Sequence, residues 1–212
     1  MLFRSPAGVL LLWDWVVSID WFKLQVIPVH PYLNQEKKLS MYSQAKQDDF
    51  VIHMMNGKIG EYLEIGASHP ISISNTYALE KLGWTGLSID ISPECEQIWK
   101  QERKNPLIIA DALTFEYPTK DRIDYLQVDV DPSEVSYKAL EQVLKSKTRF
   151  SIITYETDSY ADKRFVLPSR NLLQKQGYTL IYPDVLCGFG PFEDWYIDES
   201  VIDANLFKTF NK

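Results

Sequence analysis

The segment YLEIGASHP, Tyr62–Pro70, has the pattern of a buried strand that runs into a glycine turn. In α/β proteins such a turn lies at the carboxyl end of a strand, where nucleotide-sized cofactors bind. A dinucleotide-binding turn carries three glycines in the pattern GxGxxG, and the second lets backbone amides approach a pyrophosphate. Only Gly66 is present here, because Ala67, Ser68, His69 and Pro70 fill the rest of the turn. The turn therefore favours a nucleoside cofactor without a pyrophosphate.

Strand-like and helix-like segments alternate on both sides of this turn. Seven strands are predicted, at residues 61–65, 85–91, 106–110, 122–130, 149–157, 178–183 and 193–198. Helices are predicted at residues 43–55, 74–83, 92–104, 132–147 and 169–177, with Ser43 and Ser92 as caps and a short terminal helix after Glu199. This alternation predicts right-handed crossovers, and hence an α/β fold: a mostly parallel seven-stranded sheet with helices on both faces. Residues 41–212 are long enough for one such domain.

Charge and cysteine content narrow the function classes. The net charge of −7 argues against a protein that binds nucleic acid through bulk charge, since phosphate neutralisation needs clustered Lys and Arg. Cys95 and Cys187 lie far apart and fit no metal-ligand spacing, which favours a reduced, cytoplasmic protein.

The first 40 residues form an N-terminal extension of different character. Residues 8–27 are apolar, but Asp14, Asp20 and Lys23 interrupt them, so they do not fit a membrane span of about 20 uncharged residues. The segment also lacks the small-residue cleavage site that follows the apolar run of a signal peptide. Two alternatives remain open: an element that packs on the flank of the domain, or upstream sequence before a true start at Met41.

Acidic residues stand at the predicted carboxyl ends of the strands: Glu64, Asp90, Asp111, Asp129 with Asp131, and Glu156 with Asp158. Because the carboxyl ends of parallel strands meet at one edge of a sheet, we expect these side chains to surround a crevice. S-Adenosylmethionine suits such a crevice, since it has a sulfonium, an ammonium group and a ribose with both hydroxyls free. Asp90 stands where an acidic side chain accepts hydrogen bonds from a ribose.

Five segments carry a family likeness: YSQAKQDDFVI, LEIGASHPISISNTYALEKLGWTGLSIDISP, DYLQVDVDPSEVSYKAL, SIITYETDSY and GPFEDWYID. Together they resemble the FkbM-type methyltransferase family, Rossmann-like enzymes that use S-adenosylmethionine. The likeness covers residues 42–198, and SNTY, Ser74–Tyr77, is its most specific part. Many members have Asp and Gly where His69 and Pro70 stand, so this chain is similar to a His-Pro variant.

The resemblance implies a role for each matching position. It implies that Glu64, Gly66 and Ala67 hold the methionine part of the cofactor, Asp90 the ribose, and Ala110 and Asp111 the adenine. It places Asn75 beside the cofactor or the acceptor, and Asp129 opposite the methyl group. Asp129 or His69 would take the proton of an acceptor hydroxyl.

Plainer readings of these residues stay open. Glu64 could pair with a nearby cation, Asp90 could cap the next helix, Asp111 could form a turn, and Asn75 could be a helix cap. His69 could pack against the loop with Pro70. No metal is assigned, although Asp129, Asp131 and Glu156 are alternative oxygen ligands for a divalent cation.

The predicted function is methyl transfer from S-adenosylmethionine to a hydroxyl on a sugar, a larger glycan or another small polar acceptor. Two alternatives remain: a non-catalytic binding protein that retains the fold, and an NAD-dependent oxidoreductase, which the broken glycine pattern disfavours.

Overall fold

A computed structural model describes residues 42–188 and 190–210 of the chain. The predicted N-terminal extension, residues 1–40, lies outside these residues. Within them the chain forms a seven-stranded sheet of the following strands: β1 Glu61–Ile65, β2 Thr85–Asp90, β3 Leu107–Ile109, β4 Arg122–Val128, β5 Arg149–Glu156, β6 Thr179–Cys187 and β7 Gly190–Ile197.

The strand order is β3-β2-β1-β4-β5-β7-β6. Strands β1 to β5 pair in parallel, and β7 is antiparallel to both of its neighbours, β5 and β6. The chain leaves β1 in one direction through β2 and β3, and returns to its other side with β4. This reversal between β1 and β4 is the topological switch point at which open α/β sheets form a ligand crevice. The prediction of a mostly parallel seven-stranded sheet is confirmed.

Helices cover both faces of the sheet, as predicted. They are α1 Gln47–Met54, α2 Tyr77–Lys81, α3 Glu96–Glu102, α4 Ser133–Leu144 and α5 Val166–Lys175, followed by a 3-10 helix at Ala204–Thr209. On one face, α4 and α5 bury Leu140, Val143 and Leu173 against Leu63 and Leu126 of the central strands. On the other face, Phe50 of α1 and Leu79 of α2 pack with Tyr62, Tyr125 and Trp195.

Strand positions alternate between these two cores. Along β4, Tyr125, Gln127 and the following Asp129 point to the α1 side, because successive side chains of a strand point to opposite faces. In the register of the sheet, Gln127 lies between Glu64 of β1 and Thr154 of β5. The α1 side of the sheet is therefore apolar at its amino end and polar toward its carboxyl end.

Two helix caps differ from the prediction. Helix α1 begins at Gln47 rather than after Ser43, and the Ser43 hydroxyl hydrogen-bonds to the Asp48 carboxylate. Helix α3 begins at Glu96 rather than after Ser92. The backbone amide of Ser92 donates to Asp90 at 2.8 Å, which holds the chain in a turn before the helix starts.

Among the helices that the structure describes, none is long and apolar enough to cross a membrane.

Candidate active site

A cavity of about 610 Å³ lies at the carboxyl end of the sheet, beside the switch point between β1 and β4. Every residue predicted to bind the cofactor lines it: Glu64, Gly66, Ala67, Asn75, Asp90, Ala110 and Asp111. So do Asp129, one of the two predicted bases, and Asp131. Gln44, from the segment before α1, also lines the cavity, and the sequence patterns assigned it no role.

The glycine turn brings the ends of β1 and β4 into contact. Gly66 has φ +83°, a conformation that favours glycine, and a Cβ atom there would lie 1.7 Å from the carbonyl oxygen of Asp129. The amide of Asp129 donates to Ile65 at 2.9 Å, and the amide of Gly66 donates to Ile89 at 2.9 Å. The single glycine of the turn is therefore required by close backbone packing between neighbouring strands.

Asp90 lies at the end of β2 and supports the turn from the side. Its carboxylate accepts hydrogen bonds from the amides of Ser68 at 2.7 Å and Ser92 at 2.8 Å. These bonds hold the carboxylate at the wall of the cavity. Asp90 does not have the alternative role of a cap for α3, which begins at Glu96.

Glu64 is buried and lines the cavity. Its Oε2 accepts hydrogen bonds from the hydroxyls of Thr76 at 2.9 Å and Ser88 at 2.6 Å. Burial raises the pKa of Glu64, and the positive charge of Arg103 opposes that increase. The carboxyl group is thus held in one orientation by two hydroxyl donors.

Arg103 is a buried residue that sequence reasoning missed. Its guanidinium pairs with Glu80 at 2.6 Å, and donates to the backbone carbonyl of Pro70 at 3.0 Å and to the Thr76 hydroxyl at 2.8 Å. It therefore ties α2 and the loop after the glycine turn to the end of α3. Nothing in the pattern QERK distinguishes this arginine from its exposed neighbours.

Asn75 lines the cavity, and its side-chain oxygen has no hydrogen-bond partner among the described residues. The residue is 5% exposed, and its Oδ1 is buried without a hydrogen bond among the described residues. Asn75 is not the helix cap, because the Ser74 hydroxyl accepts from the amide of Tyr77 at 3.1 Å. The side-chain carbonyl of Asn75 is therefore free to accept a hydrogen bond from a bound ligand.

Ala110 and Asp111 follow β3 at the other end of the cavity. The amide of Ala110 donates to the Asp90 carbonyl at 2.8 Å, which joins this wall to β2. The Asp111 carboxylate accepts from the amide of Leu113 at 2.8 Å. Asp111 thus forms a turn and lines the cavity at the same time.

His69 is the one predicted site residue that does not line the cavity. Its Nδ1 accepts hydrogen bonds from the amides of Ile71 at 3.2 Å and Ser72 at 3.0 Å, so the imidazole closes the loop locally. Its role as a base stays a prediction.

Asp129 lies close to Glu156, the last residue of β5. Burial raises the pKa of Asp129, and a hydrogen bond from Glu156 works against that increase. Burial and the closeness of Asp129 raise the pKa of Glu156 far more strongly. Two negative charges side by side are therefore unfavourable at this point of the cavity wall.

The charged side chains of the cavity wall are all acidic among the described lining residues. Five carboxyl groups line it, those of Glu64, Asp90, Asp111, Asp129 and Asp131, and none of the described lining residues is Lys, Arg or His. A pyrophosphate in such a cavity would meet repulsion, whereas a cation would be attracted.

Solved structures that share this fold include two methylases. The ribosomal protein L11 methylase of Lactobacillus delbrueckii subsp. bulgaricus aligns with a TM-score of 0.51 at 14% identity, over 73% of this chain and 77% of its own. A putative methylase of Haemophilus influenzae aligns with a TM-score of 0.50 at 14% identity, over 75% of this chain and 89% of its own. The chain thus has the Rossmann-like methyltransferase fold, which confirms the predicted fold class. No protein-family model and no curated protein sequence matches it, so the FkbM-type resemblance stays a prediction.

Proposed function

We propose that this protein is an S-adenosylmethionine-dependent methyltransferase that methylates a hydroxyl group of a sugar or another small polar acceptor. One observation carries the proposal: a single cavity at the switch point of the sheet has five carboxyl groups and no basic side chain among the described residues that line it. This charge suits a sulfonium and an ammonium group, and it disfavours a cofactor with phosphates. The fold shared with two methylases is consistent with the proposal.

The residues present fit this cofactor. Asp90 would accept hydrogen bonds from the ribose hydroxyls, in keeping with its place at the end of β2. The unpartnered Oδ1 of Asn75 would accept from an amino group, because an ammonium group supplies three donors and a buried acceptor needs one. Glu64 would add negative charge beneath the ammonium, and Asp111 would lie beside the adenine. When bound, the cofactor supplies an electrophilic methyl group on sulfur.

Asp129 is the residue that would act on the acceptor. Its carboxyl group lines the cavity, with Glu156 close behind it. An ionised carboxylate within hydrogen-bond reach of an acceptor hydroxyl can take the proton as the oxygen is methylated. The protein otherwise contributes alignment and exclusion of water. The choice of a sugar or small polar hydroxyl rests on the resemblance to the FkbM-type family.

Calorimetric titration of the purified chain with S-adenosylmethionine, S-adenosylhomocysteine and NAD tests the cofactor. We expect saturable binding of the first two and none of NAD. Asp90→Asn should weaken binding about tenfold or more, since a hydrogen bond to a charged group contributes roughly 1.5–3 kcal/mol. Asp121→Asn is the matched control, because Asp121 is exposed before β4, at the opposite end of the strands. Binding of NAD, or no binding of either sulfur compound by the wild type, would contradict the proposal.

A transfer assay tests the base. With S-adenosylmethionine and a panel of sugars and polyhydroxylated metabolites, Asp129→Asn should lower turnover about 100-fold or more while cofactor affinity stays near the wild-type value. Cofactor binding by a wild-type protein that methylates none of the panel would instead favour the non-catalytic alternative.

A further inference from the structure

Three carboxylates converge beyond the cavity wall, where β4 and β5 end. Asp131 follows β4, Glu156 ends β5, and Asp158 lies two residues further on; together they are the acidic cluster discussed below. Each offers one carboxylate oxygen, and these oxygens lie within 4.8 Å of one another. Such a spacing leaves room for one ion between three oxygen ligands.

No basic side chain compensates the acidic cluster in the described part of the chain. Nine ion pairs are formed there, and none includes Asp131, Glu156 or Asp158. Asp129 and Glu193 add two further carboxyl groups beside the cluster. Converging carboxylates without a counter-charge repel one another, so the arrangement is unfavourable unless a proton or a cation binds between them.

Buried oxygens of the cluster also lack partners. Asp158 is 4% exposed, yet its Oδ1 is buried without a hydrogen bond among the described residues. The same is true of Oε2 of Glu156. A buried polar atom without a partner costs about 1–3 kcal/mol, and a charged one more, so native proteins nearly always satisfy such atoms. Two such oxygens in one three-carboxylate cluster point to a ligand that binds oxygen.

The backbone holds Asp158 firmly against β7. The amides of Thr157 and Asp158 both donate to the carbonyl of Phe192, at 2.6 and 2.9 Å. The Ser159 hydroxyl donates to the carbonyl of Pro191 at 2.8 Å. The carboxylate is thus positioned before any ligand arrives.

We propose that Asp131, Glu156 and Asp158 bind one hard divalent cation of the Ca²⁺, Mn²⁺ or Mg²⁺ class. Carboxylate oxygens are the ligands these ions prefer, and Ca²⁺–oxygen distances of about 2.3–2.6 Å allow oxygens around one ion to lie up to roughly 5 Å apart. These ions take about six to eight oxygen ligands, so three or more positions stay open to water. If the proposed function holds, oxygen atoms of a polyhydroxylated acceptor could fill them beside Asp129.

Titration of the full chain with Mn²⁺, without S-adenosylmethionine, tests the cation site directly. The paramagnetic resonance signal of free Mn²⁺ disappears on binding and gives the stoichiometry, and calorimetry with Ca²⁺ and Mg²⁺ compares the ions. We expect one saturable site in the wild type. Asp158→Asn and Asp131→Asn should each weaken it at least tenfold, whereas Asp121→Asn should leave it unchanged. Asp131 is exposed, so its variant keeps the test valid if the Asp158 variant fails to fold.

The outcomes separate this proposal from the proposed function. No saturable binding of any of the three ions at about 10 mM, beyond the weak end of known calcium sites, overturns the cation site. Equal affinity in the wild type and in the Asp131 variant also overturns it. Cofactor affinity is measured separately without added metal. A wild-type protein that binds the cation but not the cofactor would refute only the proposed methyltransferase function.

Discussion

Replacing Gly66 by alanine places a methyl carbon 1.7 Å from the carbonyl oxygen of Asp129 and 2.7 Å from its carbonyl carbon. Cβ atoms do not approach other heavy atoms within 3.0 Å, so the ends of β1 and β4 must separate by about 1.3 Å (3.0 minus 1.7). Both contacting atoms belong to the backbone, and no side-chain rotation can relieve the clash. The hydrogen bonds that tie Asp129 to Ile65 and Gly66 to Ile89 lie at this point.

Gly177 is a matched control for this change. It has the same φ of +83°, but a Cβ atom there would meet nothing within 4 Å. Gly177→Ala therefore carries only the cost of a left-handed alanine, about 1–2 kcal/mol. Gly66→Ala carries that cost, plus the loss or lengthening of two hydrogen bonds at about 1 kcal/mol each and the strain of overpacking. We expect Gly66→Ala to lower the free energy of unfolding by about 3–5 kcal/mol more than Gly177→Ala.

Urea denaturation followed by far-UV circular dichroism measures both variants, and calorimetry with S-adenosylhomocysteine measures the site. Gly66→Ala should lose affinity for this compound because the turn that lines the cavity moves, whereas Gly177→Ala should bind like the wild type. Equal destabilisation by the two substitutions would refute the reasoning, since it would mean that backbone conformation alone accounts for the glycine in the turn.

Three further predictions concern buried charges. Arg103→Met should lower the free energy of unfolding by about 3–5 kcal/mol and weaken cofactor binding, because it leaves the buried carboxylate of Glu80 unpaired. Urea denaturation measures this effect. The control variant Arg164→Met, which removes an exposed ion pair, should have little effect. Asp198→Asn should lower the free energy of unfolding by about 1–2 kcal/mol at pH 7. Burial alone would raise the pKa of Asp198, but hydrogen bonds from Ser200 and from two arginines that are about one-third exposed hold it below its usual range. That contribution is present above the unfolded pKa of about 3.9 and is lost as pH falls, so wild type and variant should converge in acid denaturation; a constant difference would contradict the assignment. Burial raises the pKa of Glu193 to about 8, so the free energy of unfolding should fall by up to about 5 kcal/mol as pH rises from about 4.3 to 8. Glu193→Gln should flatten that part of the plot of unfolding free energy against pH. An equally steep plot for the variant would rule out Glu193 as the cause.

Local patterns were sufficient for the architecture. Alternation of strand-like and helix-like runs predicted all seven strands, because burial on both sheet faces demands apolar runs that turn residues interrupt. The acidic residues at strand ends were predicted to meet at one edge, and the structure places seven predicted cofactor residues and Asp129 around one cavity. That step succeeded because parallel strands bring their carboxyl ends together whatever their order in the sheet.

Contacts between distant segments were beyond the reach of those patterns. Arg103 reaches Glu80 and Pro70, which lie 23 and 33 positions away, and its burial depends on where α3 lies against α2. The insertion of β7 between β5 and β6 likewise needs the hairpin to fold back on the sheet. It places Glu193 opposite Glu156, which no spacing along the chain predicts.

The sequence alone determined that a mostly parallel sheet forms, that its first strand runs into a turn with one glycine, and that carboxylates stand at the ends of the strands, since all three follow from local patterns of burial, backbone conformation and charge. Only the tertiary structure decided which of those carboxylates lie around the cavity and which converge with unsatisfied oxygens at Asp131, Glu156 and Asp158. Contacts between carboxyl groups and a cation site both depend on distances of a few ångströms between side chains from different strands. Such distances are set by packing of the whole sheet rather than by any neighbour in the chain.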